Sequence, residues 1–202
     1  MGVAPLSPWR IVKRIDQIIL IGTFLGFCWL GMQAVHELGH VLGAWTTGGK
    51  VVQVVLHPFT ISRTDMAHNP HPLIEVWAGP LMGSLLPLFV FLLAAFFRCP
   101  GTYLIRFFAG FCLIANGVYI GAAWLMEGGA DASVMVMLGC PHWILILFGF
   151  VTVPLGLYLW HRQGRHFGFG SAEGRVSRAA MIVSVCLFAG VFVLELLLGT
   201  RG

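Results

Sequence analysis

Five long apolar segments constrain this chain more than any other feature of its sequence. A helix needs about 20 apolar residues to cross the hydrocarbon core of a bilayer. The segments lie at about 18–45, 73–97, 102–126, 141–161 and 179–199. A soluble fold would lack polar residues to cover its surface, because 58% of the residues are hydrophobic and only 10% are charged. The sequence therefore predicts one all-α integral membrane domain over residues 1–202, with about five transmembrane helices.

The distribution of basic residues predicts how this domain is oriented. One side of the membrane would carry Arg10, Lys13, Arg14, Arg98, Arg162, Arg165, Arg175 and Arg178, and the other only Lys50, Arg63 and Arg201. By the positive-inside rule, we expect the N-terminus to face the cytoplasm. The expected location of this multi-pass protein is a bacterial cytoplasmic membrane. The first segment is longer than a cleaved signal peptide and should be retained. Topology and lipid headgroups account for the net charge of +4, so the lipid bilayer is an expected partner and nucleic acid is not.

Two histidines and a glutamate stand inside the first apolar segment, in the stretch GMQAVHELGHVLGAW at 31–45. His36 and His40 are four residues apart, so on a helix they lie on one face. This spacing suits two imidazoles that bind one zinc ion, with Glu37 beside the open position of the metal. Zinc would lower the pKa of a bound water to about 7, and Glu37 would move its proton. Three such groups within one span indicate a functional site, and a metal-free proton or ion path is the alternative.

The third metal ligand has more than one candidate. The acidic residues expected on the same side of the membrane are Asp65, Glu75, Glu127, Asp131 and Glu195. Asp131 is placed best, because the preceding Gly128 and Gly129 let the backbone turn after the third span. Asp131 would otherwise be an ordinary helix N-cap, and Glu127 is then the alternative ligand. Glu195, the acidic residue of the fifth span, would be either a partner of a ligand or a packing contact.

The segment between the first two spans favours a short β-hairpin at the membrane surface. KVVQVVLHPFTISRT is rich in β-branched residues, and Pro58 suits an edge or a turn. An exposed strand edge receives an extended peptide by β-augmentation. The residues expected to take the substrate strand are Val51, Val52, Gln53, Val54 and Val55. The alternative is a hairpin that only covers the end of the bundle.

Taken together, HELGH, GGKVVQVVLHPF, AGPLMG at 78–83 and an aspartate about fifty residues later resemble the site-2 protease family of intramembrane zinc metalloproteases, in a compact form without an accessory domain. The resemblance covers residues 30–135. It implies that His36, His40 and Asp131 hold Zn²⁺ and that Glu37 activates water.

Two positions depart from the pattern of that family. The usual LDG around the aspartate is ADA here, and the asparagine three residues after the proline of AGP is replaced by Gly83. Asn116 is the asparagine within a span, so it is expected either to supply an amide to the oxyanion or to make a helix–helix hydrogen bond. Gly39 and Gly43 on the first span, with Gly79 and Gly83 on the second, would let helices approach closely.

These features predict an intramembrane zinc-dependent endopeptidase. It would hydrolyse a peptide bond in or near a transmembrane segment of a membrane protein or peptide substrate. One alternative is a noncatalytic, zinc-stabilised assembly or regulatory protein on the same scaffold. Another is a metal or proton transporter that uses the same side chains as a path. Exchange of Glu37 for Gln separates catalysis from a scaffold role, because it should abolish cleavage and leave zinc bound.

Overall fold

The computed structural model describes residues 8–123 and 130–199. Within these ranges the chain forms six α-helices and one antiparallel pair of strands. In chain order they are α1 (Pro8–Thr47), β1 (Lys50–Val55), β2 (Arg63–His68), α2 (Pro72–Phe96), α3 (Thr102–Gly121), α4 (Ala130–Met137), α5 (His142–Trp160) and α6 (Arg178–Gly199). Two short 3₁₀ helices, Gly164–Phe167 and Gly170–Ala172, precede α6.

Five of these helices are long and apolar enough to cross a membrane. They are α1 from Arg14 onward, α2, α3, α5 and α6. The prediction of a helical, multi-pass chain with a hairpin after the first span is confirmed as far as the number of candidate spans and the strand pair are concerned. Orientation and the membrane of origin stay predictions.

The boundaries of two predicted spans differ from the observed helices. α1 begins at Pro8 instead of near Ile18, because the polar residues before the apolar run also form helix and proline is favourable in a first turn. α3 ends at Gly121, where the amide of Ala122 closes the last turn on the carbonyl of Val118, whereas the sequence predicted an end near 126. Apolar composition alone does not set where a helix stops.

Glycines allow α1 and α2 to pack closely at the level of the histidines. A Cβ placed on Gly39 would lie 2.8 Å from Cα of Gly79, and one on Gly43 would lie 2.6 Å from Cβ of Ala78. Such distances are below van der Waals contact, so side chains at these positions would push the helices apart. The glycines expected from the sequence to form a close helix–helix contact therefore do so.

On its other side α1 packs against α6. Near the middle of the two helices, the hydroxyls of Thr23 and Ser184 share a hydrogen bond of 2.8 Å. At their beginnings, Arg178 Nε lies 3.7 Å from Asp16 Oδ2. These contacts make α1 and α6 parallel neighbours, so α1 is the helix that links α2 to α6.

The hairpin lies alongside α1. Its strands pair Val54 with Thr64 and Val55 with Arg63. The backbone N–H of Ser62 donates to Gln33 Oε1 at 3.0 Å. Gln33 lies about 21 Å along the helix axis from Thr47, the last residue of α1. The hairpin therefore follows the side of α1, and its position at the membrane surface stays a prediction.

Candidate metal centre

One turn of α1 places two buried imidazoles side by side. His36 and His40 have ring centroids 4.9 Å apart, and their Nε2 atoms are separated by 3.0 Å. The four-residue spacing produces this arrangement because side chains at i and i+4 stack on one helix face. Both histidines are buried, and both direct the same ring nitrogen to one point.

Asp131 brings a carboxylate to that point from a different helix. Its Oδ2 lies 2.9 Å from Nε2 of His36 and 3.5 Å from Nε2 of His40. Asp131 lies in the first turn of α4, and its backbone N–H donates to the hydroxyl of Tyr119 at 3.3 Å. The next residues anchor α4, because Ala132 and Met135 are buried in an apolar cluster with residues of α2, α3 and α5.

A hydrogen bond that His36 donates to Asn116 fixes a proton on one nitrogen of the ring. The amide Nδ2 of Asn116 donates to the carbonyl of Cys112 at 2.9 Å, which turns its Oδ1 toward the ring. That oxygen lies 2.7 Å from Nδ1 of His36. An amide oxygen only accepts hydrogen bonds, so Nδ1 carries a proton, and in the neutral ring Nε2 keeps its lone pair.

Glu75 does the same for His40. The backbone carbonyl oxygen of Glu75 lies 3.1 Å from Nδ1 of His40, and the side-chain Oε1 of Glu75 lies 3.0 Å from the same nitrogen. Both oxygens accept, so this ring is also protonated at Nδ1. Acceptors that bind the distal nitrogen of metal-binding histidines are the usual means of orienting such ligands.

The three converging atoms fit a tetrahedral metal ion. With metal–ligand bonds of about 2.0–2.1 Å, the edges of a zinc tetrahedron measure about 3.3 Å. The separations of 2.9, 3.0 and 3.5 Å among the two Nε2 atoms and Oδ2 lie around this value. Three lone pairs this close repel one another unless a cation lies between them. Two imidazoles and one carboxylate leave a fourth position open, as in catalytic zinc sites.

The charge of Asp131 suits a cation. Burial raises the pKa of this carboxyl, but the hydrogen bonds that the His36 and His40 rings donate when they are protonated lower it by more, so its pKa lies below the ordinary range. Asp131 is therefore an anion at neutral pH, which is the form that binds metal.

Glu37, the predicted catalytic base, is also buried, with 4% of its surface exposed. The hydroxyl of Ser62 donates to its Oε1 at 2.8 Å, and the hydroxyl of Thr64 donates to its Oε2 at 2.7 Å. Glu37 is not one of the three grouped ligands. Its place between the two histidines in the sequence puts it beside the site on the hairpin side of α1.

The remaining predicted site residues lie in three places. Asn116 contacts His36, which makes it an orienting partner of a ligand. Glu127, the alternative ligand, lies outside the described residues. Glu195 is buried on α6, where its Oε1 has no hydrogen-bond partner among the described residues, and it does not belong to the His36, His40 and Asp131 group. Val51–Val55 form most of β1.

Sequence reasoning missed three partners of the site, Tyr119 and the hairpin hydroxyls of Ser62 and Thr64, and it did not place Glu75 against the ring of His40. Glu75 had a usable signal, because it is the only acidic residue in an otherwise apolar α2, and the sequence treated it as a candidate ligand. No pattern in the sequence pointed to the hydroxyls of Ser62 and Thr64, because the register of the hairpin against α1 depends on tertiary packing.

Comparison of the chain with models of protein families, with curated proteins and with solved structures finds no match. The fold and the site define a helical, membrane-spanning chain with a His/His/Asp group that could hold a metal ion.

Proposed function

We propose that this chain is an intramembrane zinc endopeptidase of the site-2 protease type. The observation that carries the proposal is the convergence of His36 Nε2, His40 Nε2 and Asp131 Oδ2, with both Nδ1 protons bound elsewhere. The HExxH order supplies a buried carboxylate, Glu37, next to these ligands. A metal-binding group with an open position and an adjacent base is the arrangement that metal-assisted peptide hydrolysis requires.

The residues of the site would have different roles in such a reaction. His36, His40 and Asp131 would hold the metal, and Asn116 and Glu75 keep the two rings in the binding orientation. Bound zinc supplies Lewis acidity, which polarises a peptide carbonyl and acidifies water. Glu37 accepts a proton from the attacking water and returns it to the leaving amine. The substrate is a membrane-protein segment, because the site lies within apolar helices, and β1 offers an edge to an extended peptide.

Metal analysis together with a cleavage assay tests this function. Purified wild type should contain about one zinc per chain and cleave a synthetic single-span peptide in proteoliposomes. His36→Ala and His40→Ala should lose zinc and activity together. Glu37→Gln should keep zinc and lose cleavage, because the ligands remain and the base is absent.

The same variants separate the two alternative functions. A noncatalytic zinc-stabilised protein would bind zinc but leave the peptide intact in wild type and Glu37→Gln alike. A transporter would carry metal or protons across the same proteoliposomes. Wild type without zinc, or with zinc and no cleavage, contradicts the endopeptidase proposal.

A further inference from the structure

Two hydroxyls of the hairpin hold both oxygens of the Glu37 carboxylate. Ser62 donates to one oxygen at 2.8 Å and Thr64 donates to the other at 2.7 Å. Hydroxyl–carboxylate bonds of this length are charge-assisted and stronger than bonds between neutral groups. The carboxylate is therefore fixed by two donors on another element, where a single bond would leave it free to rotate.

The alternation of side chains along the strand explains how two residues reach one carboxylate. Ser62 and Thr64 are two apart in extended chain, so both face α1. Arg63 between them faces away and pairs with Asp65 at 3.1 Å. The backbone N–H of Ser62 also donates to Gln33, one helical turn before Glu37, which fixes the register of the strand against the helix.

We propose that Ser62 and Thr64 are positioning residues for Glu37, and that the hairpin thereby sets the geometry of the proposed catalytic base. This inference rests on the proposed endopeptidase function. Each carboxylate oxygen has a further lone pair that the hydroxyl does not use. The two hydroxyls thus select one orientation of the carboxylate and leave it able to accept a proton from water.

The hairpin also connects the proposed peptide-binding edge of β1 with Glu37, the proposed catalytic base. β2 pairs with β1 through Thr64 and Val54, and β1 is the strand whose other edge is unpaired among the described residues. A substrate strand added to β1 would extend the sheet in which β2 carries Thr64, with Ser62 directly before that strand. Binding of the peptide and orientation of the base are therefore mechanically connected through the hairpin.

Kinetics of hydroxyl variants test the positioning role. Zinc-loaded Thr64→Val and Ser62→Ala should lower kcat for a synthetic single-span peptide by about ten- to a hundredfold, the range expected when a reacting group is misplaced by about 1 Å. KM and zinc content should stay close to wild type. Thr64→Ser and Ser62→Thr keep a donor and should restore most of kcat. Thr60→Val is the matched control, because Thr60 is an exposed hairpin residue whose hydroxyl does not reach Glu37.

Hydrogen exchange gives a readout that does not depend on activity. The double variant Ser62→Ala with Thr64→Val should exchange the amides of β1 and β2 several-fold faster than Thr60→Val, because the hairpin has lost both of its hydroxyl contacts with α1 and keeps only the backbone bond to Gln33. Unchanged exchange, or wild-type kcat in the double variant, overturns the inference and leaves the endopeptidase proposal standing. Zinc-loaded wild type that fails to cleave overturns both, so the two failures are distinguishable.

Discussion

The Nε2 atoms of His36 and His40 face each other at 3.0 Å, although in the neutral rings neither atom has a proton to donate. Asn116 and Glu75 accept the Nδ1 protons, so two lone pairs point at one another beside the Asp131 carboxylate. A divalent cation between the two Nε2 atoms and the carboxylate would resolve this repulsion. The relationship also shows why the partners of the ligands matter as much as the ligands themselves.

Removal of the Asp131 carboxylate should weaken zinc binding. Asp131→Ala deletes the oxygen ligand that completes the group of three, and Asp131→Asn removes its charge. We expect substoichiometric zinc in both variants after dialysis against a weak chelator, measured by mass spectrometry of the metal. Asp65→Ala is the control, since Asp65 is an acidic residue of β2 that pairs with Arg63. Full zinc occupancy in Asp131→Ala would show that Asp131 is not the third ligand and would make Glu127 the candidate.

Loss of the Asn116 acceptor should weaken zinc binding without removing a ligand. Asn116→Leu leaves Nδ1 of His36 unbound and lets the ring rotate, and changes of this kind lower metal affinity by about 10- to 100-fold. Asn116→Asp keeps an acceptor and should bind more tightly than Asn116→Leu. Competition with a chromophoric chelator measures both affinities.

The matched control for Asn116 is Ser84→Ala. Ser84 is a buried polar residue of α2 whose hydroxyl has no hydrogen-bond partner among the described residues. Its removal should leave zinc affinity unchanged. Equal affinity in Asn116→Leu and wild type would show that the amide does not orient His36.

A methyl group at Gly79 should disrupt the site. A Cβ at this position would lie 2.5 Å from Cε1 of the His40 ring and 2.8 Å from its Cδ2. Gly79→Ala should therefore displace the imidazole, lower zinc affinity and destabilise the fold by about 1–3 kcal/mol. Chelator competition and thermal unfolding in detergent measure the two effects.

Gly22→Ala provides the comparison for that variant. Gly22 also lies in an apolar helix, but nothing is found within 4 Å of a Cβ placed there. This variant should keep wild-type zinc affinity and gain up to about 1 kcal/mol, since alanine favours helix over glycine. If both glycine variants behave alike, the close approach of α2 to His40 is not required for the site.

His166 should make stability depend on pH at the end of the bundle away from the metal centre. Burial lowers its pKa from the ordinary 6.5, and the charges of Arg165 and Arg106 lower it further. The unfolded chain therefore binds a proton more readily than the folded one, so this contribution to stability is lost as pH falls below about 6.5. The ring stacks on Tyr103 at a centroid distance of 4.5 Å, which His166→Phe would preserve.

Thermal unfolding from about pH 7.5 down to about pH 5 checks this prediction. The melting temperature of His166→Phe should fall less than that of wild type across this range. Arg165→Gln should give an intermediate loss, because it removes one of the charges that oppose protonation. Parallel pH profiles in wild type and His166→Phe would contradict the prediction.

The sequence alone determined the class of fold and the centre of the site. Long apolar runs can satisfy their backbone polar groups in lipid only as helices, so their length fixed five spans within a few residues. The four-residue spacing of His36 and His40 is a local property of one helix, and therefore their shared face followed directly.

Tertiary packing decided what local periodicity does not encode. Asp131 reaches the histidines because α4 docks its apolar residues against three other helices, a contact that spacing along the chain cannot predict. Glu75 and Asn116 become partners of the rings because glycines let α1 and α2 approach and leave room for the amide. The hydroxyls of Ser62 and Thr64 reach Glu37 because the hairpin lies along α1, where its register depends on the packed helix.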